Sequence, residues 1–147
     1  MSTRSLPVPL PSFSDHHEAL ELAHRLRLCD DNSTAEARRA LLLYWYGTGA
    51  AHLRTEEHLL LTAWGRHGGA DHPLNGVIRA ELTRLGHAVR AVARDPATPA
   101  ATLRRIGGDL AAHVHREERE LFRIVSHVVP EAEMADVLAS LADLEPR

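Results

Sequence analysis

Helical periodicity is the feature of this sequence that most restricts its fold. Apolar residues recur at steps of three and four along almost the whole chain, and no stretch alternates apolar and polar residues over the length of a strand. Apolar side chains with this spacing lie on one face of an α-helix, whereas a half-buried strand needs a period of two. The sequence therefore predicts an all-α protein.

Segments rich in proline, glycine and aspartate divide the chain into helices, because these residues favour turns. The predicted helices cover about 14–28, 33–65, 73–94, 99–128 and 130–144. Short loops make neighbouring helices antiparallel, so we predict an up-down-up-down four-helix bundle over residues 14–147, with a short C-terminal fifth helix. Residues 1–13 are rich in proline, and we predict that they form a disordered leader.

The second predicted helix contains Gly47 and Gly49. Glycine inside a helix costs roughly 1 kcal/mol relative to alanine. The helix therefore either continues through both glycines or breaks near residues 47–49.

Charge and hydropathy exclude two classes of partner. The chain has 17 basic and 20 acidic side chains, a formal net charge of −3, and no basic run, so it lacks the charge pattern of a nucleic-acid-binding protein. The longest apolar run, 40–46, has seven residues, whereas a membrane-spanning helix needs about 20. The single cysteine, Cys29, fits a reducing compartment, and we expect a cytoplasmic location.

A repeated motif is the most informative local feature. The pattern A-A-H-x3-E-E-x2-L occurs at residues 50–60 and again, 61 residues later, at 111–121. It gives His52 and Glu56 in the first copy and His113 and Glu117 in the second. Residues four apart on a helix lie on the same face one turn apart, so each imidazole and carboxylate can converge on one point.

Both His and Glu pairs are predicted to face the core. At about 100° per residue, the apolar residues of each helix gather around Glu56 and around Glu117. A buried carboxylate needs a partner, and a cation also held by histidine satisfies it. Glu57 and Glu118 lie about a quarter-turn away, where we expect a solvated rim or a cap. The alternative is that they orient a metal ligand or themselves serve as the ligand in its place.

A metal site in a bundle core normally takes a ligand from every helix. In the first helix His16 lies near the middle of the apolar stripe, and we prefer it to His17. The third helix has no histidine on its apolar stripe but has Glu81 there. Glu81 is either a third carboxylate ligand or a partner of Arg84 or of a histidine on another helix. The predicted metal ligands are His16, His52, Glu56, Glu81, His113 and Glu117.

These residues resemble the hemerythrin-like HHE cation-binding domains over about residues 14–129. The resemblance rests on Asp15-His16 and on the two His-x3-Glu motifs, each with its following Glu. It implies a four-helix bundle with a non-haem di-iron site, whose motif carboxylates bridge the metals and whose first-helix ligand is His16. The family pattern expects Glu-His in the third helix, where this chain has Glu81-Leu82. Either Glu81 replaces that ligand, or one metal subsite is weakened and a single ion remains.

The resemblance and the donor types together predict a function. Imidazole and carboxylate donors without thiolate suit iron, manganese or zinc, and iron is the cofactor that the family implies. We expect a protein that binds or senses a small oxidant, which would be dioxygen, nitric oxide or peroxide. The alternatives are an enzyme that disproportionates peroxide or oxidises ferrous iron, and a structural or sensory bundle locked by one ion.

Overall fold

The computed structural model describes residues 14–143, and this part of the chain forms helices without a strand. The α-helices are α1 (Ser14–Arg27), α2 (Thr34–Tyr44), α3 (Ala50–Gly65), α4 (Pro73–Arg94), α5 (Ala100–Arg116), α6 (Phe122–Val128) and α7 (Glu131–Ala142). The all-α prediction is confirmed, and the chain folds as a helical bundle. The predicted leader, 1–13, and residues 144–147 lie outside the described residues.

The second predicted helix is interrupted where its two glycines occur. Residues Trp45–Gly49 form a π-helical turn between α2 and α3, and Gly47 has non-helical backbone angles of φ −78° and ψ −117°. A Cβ atom at Gly49 would lie only 2.5 Å from the ring of Tyr44. Glycine at this position therefore lets the Tyr44 ring pack directly against the backbone.

The fourth predicted helix is also not a uniform α-helix. Between α5 and α6 the residues Glu117–Leu121 form a second π-helical turn. A π-turn has i→i+5 hydrogen bonds and is often found at functional sites. It changes the rotational position of every residue that follows, relative to an uninterrupted α-helix.

The apolar core consists of two clusters. The first is formed mainly by α1, α2, α5, the start of α3 and the later part of α4, and includes Leu53, Leu82 and Val114. The second is formed by the end of α3, α6, α7 and their neighbours, and includes Leu60 and Leu121. Four buried side chains that bear titratable groups come from α1, α3, α5 and the second π-turn. We call these side chains the polar layer: His16, Glu57, His113 and Glu117.

Close packing of α1 on α5 fixes the position of the first helix. Gly107 of α5 faces α1, and a Cβ atom there would lie 2.7 Å from the carbonyl oxygen of Ala23. At the other end of the bundle α7 packs against α3. Across the described residues, every helix is too short or too polar to cross a membrane.

Candidate metal centre

His16, in the first turns of α1, is buried in the bundle with 2% of its surface exposed. Its Nε2 atom lies 2.8 Å from Glu56 Oε1 and 3.5 Å from Glu117 Oε2. The next residue, His17, has a side chain 75% exposed and pairs with Glu21 on its own helix. Sequence analysis favoured His16 over His17 as the ligand from the first helix, and in the structure His16 lies among the buried carboxylates.

The second repeat of the motif lies as its spacing predicts. His113 and Glu117 are 0% and 1% exposed. His113 Nε2 lies 3.0 Å from Glu117 Oε1, one turn further along the helix. Glu117 therefore has an imidazole nitrogen near each of its two carboxylate oxygens, one from His16 and one from His113.

The first repeat of the motif presents a different face to the core from the one that the sequence predicted. The buried face of α3 is centred on Glu57, because Leu53, Leu61 and Trp64 lie within about 40° of it at 100° per residue. Glu57 is 5% exposed, which contradicts the expectation of a solvated rim. The count about Glu56 included a residue of α2, which the π-turn rotates relative to α3, and it left out Leu61 and Trp64.

Two groups of donor atoms can each hold a metal ion. One consists of His16, Glu56 and Glu117, and the other of Glu57, His113 and Glu117, and within each group the donor atoms lie within 4.8 Å of one another. Glu117 belongs to both. Four of the six predicted ligands are brought together here with Glu57, for which the sequence offered a ligand role only as the alternative. The Glu-Glu pair common to both repeats is the sequence feature that could have identified it.

His52 and Glu81, also predicted as ligands, lie outside these groups in the described part of the chain. His52 is half-buried on α3. Glu81 is near the centre, with Oε1 3.2 Å from His113 Nδ1, and its two oxygens share one bifurcated hydrogen bond from Arg116 Nε, at 3.1 Å each. Its partners are thus a histidine of another helix, as one alternative predicted, and Arg116. The role of either residue as a ligand stays a prediction.

A carboxylate holds the second nitrogen of each buried histidine. His16 Nδ1 lies 3.0 Å from Glu118 Oε1, and His113 Nδ1 lies 3.2 Å from Glu81 Oε1. Metal-binding histidines commonly donate their other ring N–H to a carboxylate, which fixes the tautomer and the orientation of the ring. Both Nε2 atoms are therefore oriented toward the shared carboxylate of Glu117.

The pKa values show how strongly this cluster favours positive charge. Burial lowers the pKa of His16, but the carboxylates of Glu117 and Glu56 outweigh it and raise that pKa to about 11. Burial also lowers the pKa of His113, and the neighbouring carboxylates, chiefly that of Glu117, raise it overall. Burial raises the pKa of Glu117, but the neighbouring His113 and His16 outweigh this effect and hold the pKa below its ordinary value. Burial, assisted by the charge of Glu117, raises the pKa of Glu57 to about 7.

The donor atoms fit a metal ion. Among the described residues, neither oxygen of Glu117 nor Oε1 of Glu57 has a hydrogen-bond partner of good geometry. A buried polar atom without such a partner is costly. Imidazole nitrogens lie 3.0 Å and 3.5 Å from the Glu117 oxygens, so that the donor atoms of both groups converge on this carboxylate. A cation shared by these atoms would satisfy them, and the donor types suit iron, manganese or zinc.

Comparison with known proteins gives one match. Residues 13–125 match the family model of the hemerythrin HHE cation-binding domain. Searches of curated proteins and of solved structures returned no significant match. The matched segment covers most of the chain and includes both donor groups, so the chain belongs to the hemerythrin HHE cation-binding domain family.

Proposed function

We propose that this protein holds two iron ions in its polar layer, bridged by Glu117. His16 and Glu56 would bind one ion, and His113 and Glu57 the other. The observation that carries the proposal is the membership of Glu117 in both groups, with Oε2 toward His16 and Oε1 toward His113. One carboxylate oxygen is thereby available to each ion, as a bridging ligand requires.

Iron is the metal that we propose, with manganese or zinc as alternatives. The two groups together contain two imidazoles and three carboxylates and no thiolate. This donor set suits all three metals, and a pair of ions bridged by carboxylate favours iron or manganese. Membership of a cation-binding family supports a resident metal.

We propose that the site binds or senses dioxygen, nitric oxide or peroxide. A pair of iron ions supplies redox chemistry and coordination positions for such small molecules. The chain itself orients both imidazoles through Glu118 and Glu81. The buried side chains of the two apolar clusters, which include Leu53 and Leu121, limit the access of bulk water to the polar layer.

Metal content tests the ligand assignment. We would purify the protein without oxygen and measure iron per chain by mass spectrometry, beside His16→Ala and the neighbouring variant His17→Ala. His16 is buried at the centre, whereas His17 is exposed. We expect two irons in the natural chain and in His17→Ala, and a loss in His16→Ala. Equal metal content in all three proteins would refute the assignment.

A second pair of variants tests whether there are two ions. Glu56 belongs only to the group with His16, and Glu57 only to the group with His113. Each of Glu56→Gln and Glu57→Gln should therefore remove one ion and retain the other. A site with a single ion, as in the structural alternative, would instead lose all metal in one variant and none in the other.

Spectroscopy tests the binding of an oxidant. Iron bound by this site should give near-ultraviolet charge-transfer bands that change when oxygen, nitric oxide or peroxide is added. His113→Ala should abolish those bands, because His113 is a ligand in the proposal, while His58→Ala, an exposed histidine next to Glu57, should keep them. Bands that are unchanged in His113→Ala would refute the proposal.

An enzyme that disproportionates peroxide or oxidises ferrous iron is the second candidate. The observation that favours it is the proportion of carboxylates, with three in the two groups against two histidines. Carboxylate-rich sites of this kind occur in ferritin-like di-iron bundles. Oxygen evolution from peroxide that increases with iron loading would favour the enzyme, and binding without turnover would favour the first proposal.

A further inference from the structure

A cavity of about 390 Å³ lies between α3 and α4, beside the metal centre. Its lining includes Arg54 and Glu57 from α3 and Arg79, Thr83 and Arg90 from α4. Glu57 is also a member of the second donor group. The cavity therefore shares one wall with the polar layer, but most of its lining has no part in the metal site. Its size is within the range of small-molecule pockets, which is roughly 300–1,000 Å³.

Neutral groups position the two α4 arginines of the cavity. Arg79 Nε donates to Asn75 Oδ1 at 2.8 Å, and Arg90 Nε donates to the carbonyl oxygen of Gly86 at 3.4 Å. Arg90 also lies 3.5 Å from His87 Nδ1. A guanidinium has five N–H donors, so these contacts orient both side chains and leave further donors for a ligand.

Arg54 reaches the same cavity from α3. Its guanidinium carbon lies 6.0 Å from the centre of the Trp45 ring, at the limit of a cation–π contact. Its terminal nitrogen would lie 3.8 Å from a Cβ atom at Gly86, which brings it close to α4. Arg54 is thus positioned by an aromatic ring, as the α4 arginines are positioned by neutral oxygens.

The cavity is strongly positive in a chain that is acidic overall. Three arginines and one glutamate line it, a formal charge of 3 − 1 = +2, whereas the whole chain has a net charge of −3. Within residues 14–143, none of Arg54, Arg79 and Arg90 forms an ion pair with a carboxylate. The planar guanidinium group binds oxyanions through paired N–H donors, and the hydroxyl of Thr83 adds one further donor.

We propose that this arginine pocket binds a small oxyanion of the phosphate class. Arg54 and Arg90 both approach Gly86, so two guanidinium groups are available to one anion there. This favours a multiply charged anion over a monocarboxylate, because each group contributes its own charge-assisted hydrogen bonds. Arg79 lies about 16 Å from Arg90 along the helix, and its charge acts on Glu57. Bound there, the anion lies against Glu57 and therefore beside the second donor group. The pocket exists independently of which metal the site holds.

Isothermal titration calorimetry with inorganic phosphate and with pyrophosphate tests the pocket on the full chain as purified. We expect saturable binding of one anion per chain. Arg54→Gln and Arg90→Gln should each weaken it by about 10-fold to 100-fold, the effect of one lost hydrogen bond to a charged group. Arg84→Gln is the matched control, because Arg84 is an exposed arginine of α4 that does not line the cavity. It should keep the affinity within about two-fold, since a distant exposed charge is screened by salt.

Three results would overturn the proposal. One is the absence of saturable binding at millimolar phosphate or pyrophosphate. Another is an equal loss in Arg84→Gln and Arg90→Gln, which would indicate general charge attraction. The third is binding that survives both pocket variants but disappears in His113→Ala, because phosphate would then be a ligand of the metal. Iron content measured on the arginine variants keeps this test separate from the proposed function, since these variants should retain their metal.

Discussion

The contact between Gly107 and α1 gives a test of how the first helix is held. Gly107 and Gly108 are neighbours inside α5. A Cβ atom at Gly107 would lie 2.7 Å from the carbonyl oxygen of Ala23 and 2.8 Å from Leu26 Cβ, whereas one at Gly108 would meet nothing within 4 Å. We therefore compare Gly107→Ala with Gly108→Ala.

The difference between the two variants isolates the contact. Alanine is favoured over glycine inside a helix by about 1 kcal/mol, and this gain applies to both positions. Gly108→Ala should therefore raise the free energy of unfolding by up to about 1 kcal/mol. At Gly107 the new atom contacts a backbone oxygen that cannot rotate away, and overpacking of this kind costs about 1–3 kcal/mol. Gly107→Ala should thus be less stable than Gly108→Ala by about 1–3 kcal/mol.

Equilibrium unfolding in urea measures both values, with the slope against urea checked for constancy. The same samples should be analysed for iron, because α1 includes His16 and a displaced α1 would weaken one donor group. We expect a lower iron content in Gly107→Ala alone. Equal stabilisation by both substitutions would show that α1 does not approach α5 as closely as described.

Three further outcomes are expected. Leu121→Ala should lower the free energy of unfolding by about 2–5 kcal/mol in urea titrations, because Leu121 is fully buried; a loss under 1 kcal/mol would contradict its packing. Glu81→Gln should weaken iron affinity by about 10-fold to 100-fold in a competition titration, because it removes the carboxylate partner of His113, a ligand in the proposal; unchanged affinity would refute that role. The pKa of Glu133 is lowered chiefly by His67 and to a smaller extent by Arg66. The ion pair should therefore stabilise α7 at any pH above the pKa that Glu133 has in the unfolded chain. This stabilisation should be lost as the pH falls through the lower pKa that Glu133 has in the folded protein. Nuclear magnetic resonance titration of Glu133 should show a normal pKa in the double variant His67→Ala/Arg66→Gln and a depressed one in the natural chain.

The sequence predicted most of the fold because the apolar pattern is strictly helical and its breaks are marked by proline and glycine. Pro73 is the first residue of α4, as expected from its missing N–H, and α1 begins at Ser14. The break at Gly47 and Gly49 was one of two alternatives, and the structure has it there as a π-turn. The second π-turn, Glu117–Leu121, was not predicted, because no glycine or proline marks it.

The candidate site also contains some residues whose positions the sequence predicted and others whose positions it did not. His16 and His113 lie in uninterrupted α-helices, and Glu117 is the first residue of the second π-turn. Angular counting placed all three on the buried face, and each is buried at the centre. Glu57 was assigned to a rim because the count about Glu56 included a residue before Trp45–Gly49, where the helix is not α-helical, and left out Leu61 and Trp64. The partners of Glu81 lie on another helix, and the sequence alone does not say which helix faces it.

The polar layer also affects how the bundle unfolds. The apolar core consists of two distinct clusters, and cooperative unfolding depends on contacts that join such clusters. Without a metal the polar side chains of this layer add no apolar contact between the clusters, so we expect the clusters to open as separate units in native-state hydrogen exchange. Two ions held by ligands from α1, α3 and α5 would join them into a single unit. Metal binding would then change the cooperativity with which the whole chain unfolds, including residues far from the ligands.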